Sequence, residues 1–272
     1  MPSTTLITTS QLSRLIGLPH APAIVDVRMD EDYRVDPRLL PGSLRRDYRA
    51  VPQWASHYRD RSVVVLCQRG QKLSEGTAAW LRHEGISAEV LEGGFEGWKK
   101  ASELLVRTDK IPPRDDKGHT LWVTRSRPKI DRIACPWLIR RFVDPNAIFL
   151  FVSAPEVTSV AERFNATPFD IEGVFWSHRG ETCTFDTMIE EFGLKTQPLL
   201  HLAKIVRGAD TARLDLVPEC AGLLAASLGY SRMYKDDLPQ LEAAMALYDA
   251  FYRWCRDATE ETHNWPTQKL RS

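Results

Sequence analysis

The chain has 272 residues, 43% hydrophobic and 26% charged, which allows one large buried core or two moderate ones. Lysine plus arginine and aspartate plus glutamate balance at 36 each, so charge does not support DNA as a partner; no apolar run reaches the roughly 20 residues that span a bilayer, so no membrane partner is expected. The five cysteines (Cys67, Cys135, Cys183, Cys220 and Cys255) are odd in number, widely spaced and without a CxxC pair; with no secretory signal in Met1 to Ser10, they argue against a disulfide framework or zinc ribbon and for a reducing cytoplasm.

In chain order, Ser10 is placed to cap a short helix containing Leu12, Leu15 and Ile16. Ala23 to Val27 reads as a strand, followed by a polar loop from Met29 to Arg46. Val51 to Tyr58 reads as helical, since Pro52 falls in a first turn that tolerates it. The β-branched run Val63 to Leu66 reads as a buried parallel strand. The segment Leu73 to Glu84 carries apolar residues at Leu73, Ala78, Trp80 and Leu81 and stops at Gly85, as a helix would. Ala88 to Leu91 is another strand, and Gly93-Gly94-Phe95-Glu96-Gly97-Trp98 is a glycine turn opening a short helix. Such βα alternation predicts a parallel sheet flanked by helices on both faces.

Arg107 to Thr120 is polar, proline-bearing and aperiodic, and reads as an exposed linker. Beyond it, Leu121 to Thr124 is a strand, Asp131 is placed to cap a helix from Arg132 to Phe142 with Pro136 in its first turn, and Ile148 to Val152 is a buried strand. Three helices follow, Leu199 to Val206, Pro218 to Leu228 and Leu238 to Cys255, and no internal repeat is apparent. The expected organisation is an α/β domain at 1–106, a linker at 107–120, a mostly helical α+β domain at 121–258 and a polar tail at 259–272.

The segment with most chemistry is Cys67-Gln68-Arg69-Gly70-Gln71-Lys72, between a strand and a helix. A tight loop there turns backbone N–H groups inward above a helix N-terminus, which binds anions and stabilises a thiolate. Arg69 and Lys72 add positive charge. Three elements in order, Asp26-Val27-Arg28 with Glu31-Asp32-Tyr33, the cysteine loop, and Leu91 to Trp98, make residues 5 to 105 resemble the rhodanese family. Arg38-Leu39-Leu40-Pro41-Gly42-Ser43 departs from that family's usual Gly-His-Ile-Pro-Gly-Ala. A rhodanese loop reads CxxGx[RK], and Lys72 is the basic residue five positions after the cysteine; related phosphatases place arginine one position later, where this chain has Leu73.

The resemblance implies a sulfurtransferase in which Cys67 attacks a sulfane-sulfur donor such as thiosulfate and carries a persulfide to an acceptor thiol or protein. Lys72 and the loop formed by Gln68, Gly70 and Gln71 would hold the negative charge, and Arg69 would orient an anionic donor. Asp26 and Arg28 are expected to form a structural ion pair, and no cofactor is required. Rhodanese-like folds also serve as modules without turnover, so a binding role stays open.

The second half carries Trp122-Val123-Thr124-Arg125, then Arg127-Pro128-Lys129-Ile130-Asp131 through Phe142, Pro168-Phe169-Asp170-Ile171, His178 to Asp186, and Ile205 to Asp210. Together these resemble the C-terminal domain of the chromate-resistance protein family, which implies chromate as a possible partner and leaves open a chromate-responsive sensor as the alternative to an enzyme. Independently of that resemblance, His178, Glu181, Cys183 and Asp186 fall within nine positions, with Asp170 upstream and Asp210 and Glu219 downstream. His178, Cys183 and Asp186 are the candidate metal ligands; the alternative is a polar turn in which Asp186 caps a helix from Thr187 to Phe192. Arg125, Arg127, Lys129, Arg132, Arg140 and Arg141 form a basic cluster, read as either an oxyanion site or a solvated face with salt bridges, and Cys135 is a second candidate thiol.

Overall fold

A computed structural model describes residues 5–262. Its first half is a five-stranded, wholly parallel sheet in the order β1-β5-β4-β2-β3, formed by β1 (Leu6–Ile7), β2 (Ala23–Asp26), β3 (Ser43–Arg45), β4 (Val63–Leu66) and β5 (Ala88–Leu91). The helices are α1 (Thr9–Leu15), α2 (Asp30–Val35), α3 (Val51–Trp54), α4 (Lys72–His83) and α5 (Gly94–Lys100). The helical stretch at 51–58 is α3 continued by a 3-10 turn, Ala55–Tyr58. α1 begins two residues earlier than predicted: Thr8, not Ser10, is its cap, in a reciprocal box with Gln11. The predicted polar loop contains α2, whose first turn is Asp30-Glu31-Asp32, and β3, which pairs with β2 through Ile24↔Ser43 and Asp26↔Arg45. α2 buries no residue and is held by acidic side chains at its positive end; a three-residue strand leaves too little alternation to read.

Alternation along the strands splits the core into two layers. Val25, Val63, Val65 and Val90 face α3 and α4, packing with Trp54, Tyr58, Ala78 and Leu81. Ile24, Val64, Leu66 and Leu91 face the other way, onto Leu12, Phe95 and Trp98, in a cluster that runs without interruption into the second half of the chain.

The second half has a three-stranded parallel sheet, β7-β6-β8, from β6 (Leu121–Arg125), β7 (Ile148–Val152) and β8 (Thr167–Pro168). Around it lie α6 (Asp131–Leu138), α7 (Val157–Phe164), α8 (Thr184–Phe192), α9 (Gln197–Asp210), α10 (Glu219–Met233) and α11 (Asp237–Asp257). The expectation of a buried strand at 148–152 is corrected: β7 is an edge strand with only Phe149 buried and Ile148 37% exposed. Asp131 does not cap its own helix; it lies in the first turn of α6, behind Ile130 at φ +36°. Pro136 sits mid-helix, and the predicted single helix ends in a wider π turn, Ile139–Val143. Trp137 is the hub of the helical core, with the rings of Phe142, Phe185, Tyr248 and Tyr252 at 5.5 to 6.4 Å.

The segment read as an exposed linker is exposed or half-buried over 107–119, and it is also tied down. Arg107 N–H donates to Phe192 O at 3.0 Å, Thr108 Oγ1 to Pro37 O at 2.7 Å, and Arg114 pairs with buried Asp144 at 2.8 Å. Elsewhere the halves meet at backbone distance: Gly42 N–H donates to Phe142 O at 2.7 Å, and a Cβ on Gly17 would lie 2.6 Å from the Phe142 ring and 2.7 Å from that of Tyr252. Part of the predicted tail, 263–272, lies outside the described residues. Among the described residues no helix is long and apolar enough to cross a membrane.

Candidate functional site

Cys67 follows the last residue of β4 and is 5% exposed. The chain turns through Gln68 to Gln71 before α4 opens at Lys72, so the thiol sits above a helix N-terminus. Gln71 N–H donates to Cys67 Sγ at 3.4 Å, and Ser74 Oγ lies 3.2 Å from the sulfur. Burial pushes the thiol up; the Ser74 hydroxyl and the backbone N–H groups of Gln71, Ser74 and Arg69 outweigh it, so Cys67 lies below the ordinary cysteine value. Ser74 escaped the reading of the sequence. Its signal was its place in the first turn of the helix after the loop, where a hydroxyl can reach back to the sulfur.

Glycine makes the loop possible. Gly70 has φ +66°, and a Cβ there would strike Leu91 O. Gly94 has φ +55°, and a Cβ there would strike Cys67 O and Gly70 N. The glycine turn before α5 therefore packs backbone to backbone against the cysteine loop, with Phe95 N–H donating to Cys67 O and Glu96 N–H to Gln68 O, both at 3.0 Å. Gln68 Nε2 donates to Glu96 Oε1 at 2.6 Å, so Gln68 anchors the loop. Arg69, Gln71 and Lys72 are exposed and line a cavity of about 570 Å³ with Cys67, Met29 and Asp32. The two cations thus flank the mouth, and the local stabilisation of the sulfur comes from Ser74 and the backbone.

Asp26 and Arg28 form the expected ion pair, fully buried, with Arg28 Nε donating to Asp26 Oδ2 at 2.8 Å. Arg28 also donates to Asp36 O at 3.0 Å and Arg38 O at 2.8 Å, and its guanidinium lies 3.8 Å from the Phe95 ring centroid. It latches the segment after α2 onto the residue beside Gly94, a positioning duty one helix away from the sulfur.

In the second half, the predicted metal set does not assemble. Cys183 is buried as the cap of α8, and Asp186 closes the box by accepting Cys183 N–H at 3.1 Å and Sγ–H at 3.3 Å while pairing with Arg207 at 3.3 Å. Glu181 is exposed and pairs with Arg213 at 3.2 Å. His178 instead meets three carboxylates, with Nε2 at 3.4 Å from Asp131 Oδ2, 3.5 Å from Asp170 Oδ1 and 3.2 Å from Asp210 Oδ2. These carboxylates push the imidazole up to about 12, whereas burial pushes Asp131 up to about 7 against the pull of His178. Asp131 was expected only to cap a helix. It does so for α8, accepting Thr184 N–H at 2.6 Å.

Most of the basic cluster is engaged, as the salt-bridged reading expected. Arg125 and Arg132 contact Asp170 at 3.5 and 3.3 Å, Arg140 pairs with Glu242 at 2.6 Å and Arg141 with Asp249 at 2.8 Å. Arg127 donates to Ser231 O at 2.6 Å. Cys135 is wholly buried, which pushes its thiol well above the ordinary value and makes it a poor nucleophile.

The chain matches the model of the rhodanese-like domain over residues 8–101 and that of the ChrB C-terminal domain over residues 122–255. It is similar to protein ChrB of Cupriavidus metallidurans, with 31% identity over 145 residues, 52% of this chain. The match spans 43% of that curated relative's length. Solved structures to which it is similar include a rhodanese-like domain protein from Staphylococcus aureus (27% identity, 35% of this chain and 90% of that one, TM-score 0.31). Others are a rhodanese-related protein from Thermoplasma volcanium (20%, 38% and 97%, TM-score 0.33) and a thiosulfate sulfurtransferase from Pseudomonas aeruginosa (20%, 38% and 19%, TM-score 0.34). The protein therefore joins a rhodanese-like domain at its N-terminal side to a ChrB C-terminal domain.

Proposed function

We propose that the protein is a sulfurtransferase working in a chromate-resistance setting, with Cys67 as its nucleophile. The observation that carries this reading is the seat of the thiol: a sulfur held by the Ser74 hydroxyl and by backbone N–H groups, beneath a cavity edged by Arg69 and Lys72. Its thiolate attacks the sulfane sulfur of thiosulfate, forming the Cys67 S–S bond as the donor's S–S bond breaks, and sulfite leaves with the electron pair. The resulting persulfide anion occupies the N–H-lined cup, and an acceptor thiolate or cyanide takes the outer sulfur and returns the thiolate. Arg69 and Lys72 attract the dianionic donor to the mouth and favour encounter more than the bond-making step.

The C-terminal match supports the chromate-resistance setting. The arginine cluster gives little support to direct chromate capture, because its guanidinium groups already have carboxylate and carbonyl partners.

The test is intact mass after incubation with thiosulfate, together with cyanide-dependent thiocyanate release. Wild type should gain one sulfur atom and turn over, and Cys67→Ser should do neither; equal release from the two proteins would sink the proposal.

A further inference from the structure

We propose that His178, Asp131, Asp170 and Asp210 form a binding site for a divalent transition metal of the Zn2+ or Mn2+ class, distinct from the cysteine loop and from the ligand set the sequence suggested. The four side chains come from four places: the first turn of α6, the segment after β8, the loop before α8 and the last residue of α9. One ligand atom each from Asp131, Asp170 and His178 lies within 4.8 Å of the others.

The distances argue for an ion between the groups rather than for a set of hydrogen bonds. An imidazole Nε2 carries at most one hydrogen, yet three carboxylate oxygens surround it at 3.2, 3.4 and 3.5 Å. Each is longer than the ~2.7–2.9 Å of a charge-assisted bond. A tetrahedron with metal–ligand bonds of about 2.0–2.2 Å has donor–donor edges of about 3.3–3.6 Å, and the three edges that meet at Nε2 fall in that range to within 0.1 Å, with Asp210 joining the set through its contact to His178. Charge points the same way. Asp170 has Arg125 and Arg132 beside it, but among the described residues Asp131 and Asp210 have His178 as their one ion-pair partner. A divalent ion with neutral His178 balances those two carboxylates.

The surroundings hold the ligands in place. Thr184 orients two of them, its N–H on Asp131 Oδ2 at 2.6 Å and its hydroxyl on Asp170 Oδ1 at 2.9 Å. Arg125 and Arg132 take the other oxygen of Asp170. The sheet beneath the site is closed: Thr124, one residue before Arg125 on β6, is wholly buried. Strand alternation turns Thr124 to the same side of β6 as Trp122, whose ring meets that of Trp176, two residues before His178. Phe169 N–H donates to Val123 O, which places Asp170 just past Thr124 along the neighbouring strand. His178 is 40% exposed at its side chain, which gives the ion a path in and allows water to complete its shell. The donors are oxygen and imidazole with no thiolate, which selects Zn2+ or Mn2+ over softer ions.

The test uses the full chain, stripped with chelator and titrated with zinc chloride and with manganese chloride, with metal content measured after desalting. One ion per chain is expected. His178→Gln should weaken binding by at least about tenfold, whereas Cys67→Ser and Glu181→Gln should leave it unchanged. Because His178→Gln removes a tertiary contact, two readouts stand beside it: Asp210→Asn should show the same loss, and electron spin echo of Mn2+-loaded wild type should show coupling to an imidazole nitrogen. No stoichiometric binding by wild type, affinity unchanged in His178→Gln and Asp210→Asn, or absence of nitrogen coupling each overturns the site.

Discussion

Cys67 owes its reactivity to what surrounds a single sulfur atom. Burial alone disfavours a thiolate, and it is outweighed by one hydroxyl and three backbone N–H groups of the loop and the first turn of α4. Because the folded thiol titrates lower than an ordinary cysteine, its alkylation by iodoacetamide should reach half-maximal rate at a lower pH than that of a free cysteine. Ser74→Ala removes the largest lowering influence and should move that midpoint up; an unmoved midpoint would show that the backbone alone holds the thiolate. The loop was legible because Cys67, Gly70 and Lys72 fall within six consecutive positions. Ser74 was less legible, since a serine in a first helical turn is ordinary there, and only the path of the loop makes it a partner of the sulfur.

At the scale of elements, α8 shows how one cluster of polar residues reads two ways. His178, Cys183 and Asp186 are close in sequence, but Cys183 and Asp186 are spent on the cap of α8 and the contact to Arg207. Asp186→Ala should therefore cost about 0.5–2 kcal/mol, seen as a lower denaturant midpoint with an unchanged slope, and should leave zinc content as in wild type. Loss of metal on that substitution would return Asp186 to the ligand set. The edge position of β7 has a similar lesson. Ile148 to Val152 is apolar enough to read as buried, yet strand order leaves one of its sides without a neighbouring strand, and nothing in the run itself records strand order.

For the whole molecule, the two halves share one core. Residues of the first sheet such as Ile24, Val64 and Leu66 belong to the same buried cluster as Trp137, Phe142 and Tyr252, and Gly17 admits the Phe142 and Tyr252 rings against bare backbone. Thermal unfolding followed by tryptophan fluorescence and by far-ultraviolet circular dichroism should give one coincident transition. Gly17→Ala should lower it by the cost of overpacking plus a positive φ, about 1–3 kcal/mol, while leaving the transition single; two separated transitions in wild type would mean that the halves fold apart. By itself the sequence determined the parallel α/β domain, the second helix-rich domain and the cysteine loop, because strand periods, helix stops and a strand–loop–helix passage are written within a dozen neighbouring residues. Only the tertiary structure decided that the linker is tied down, that Gly94 must be bare beneath Cys67, and that His178 meets Asp131, Asp170 and Asp210 rather than Cys183. Those contacts join residues separated by up to 47 positions around His178 and by more than a hundred across the shared core, and local patterning carries no register for chain segments that far apart.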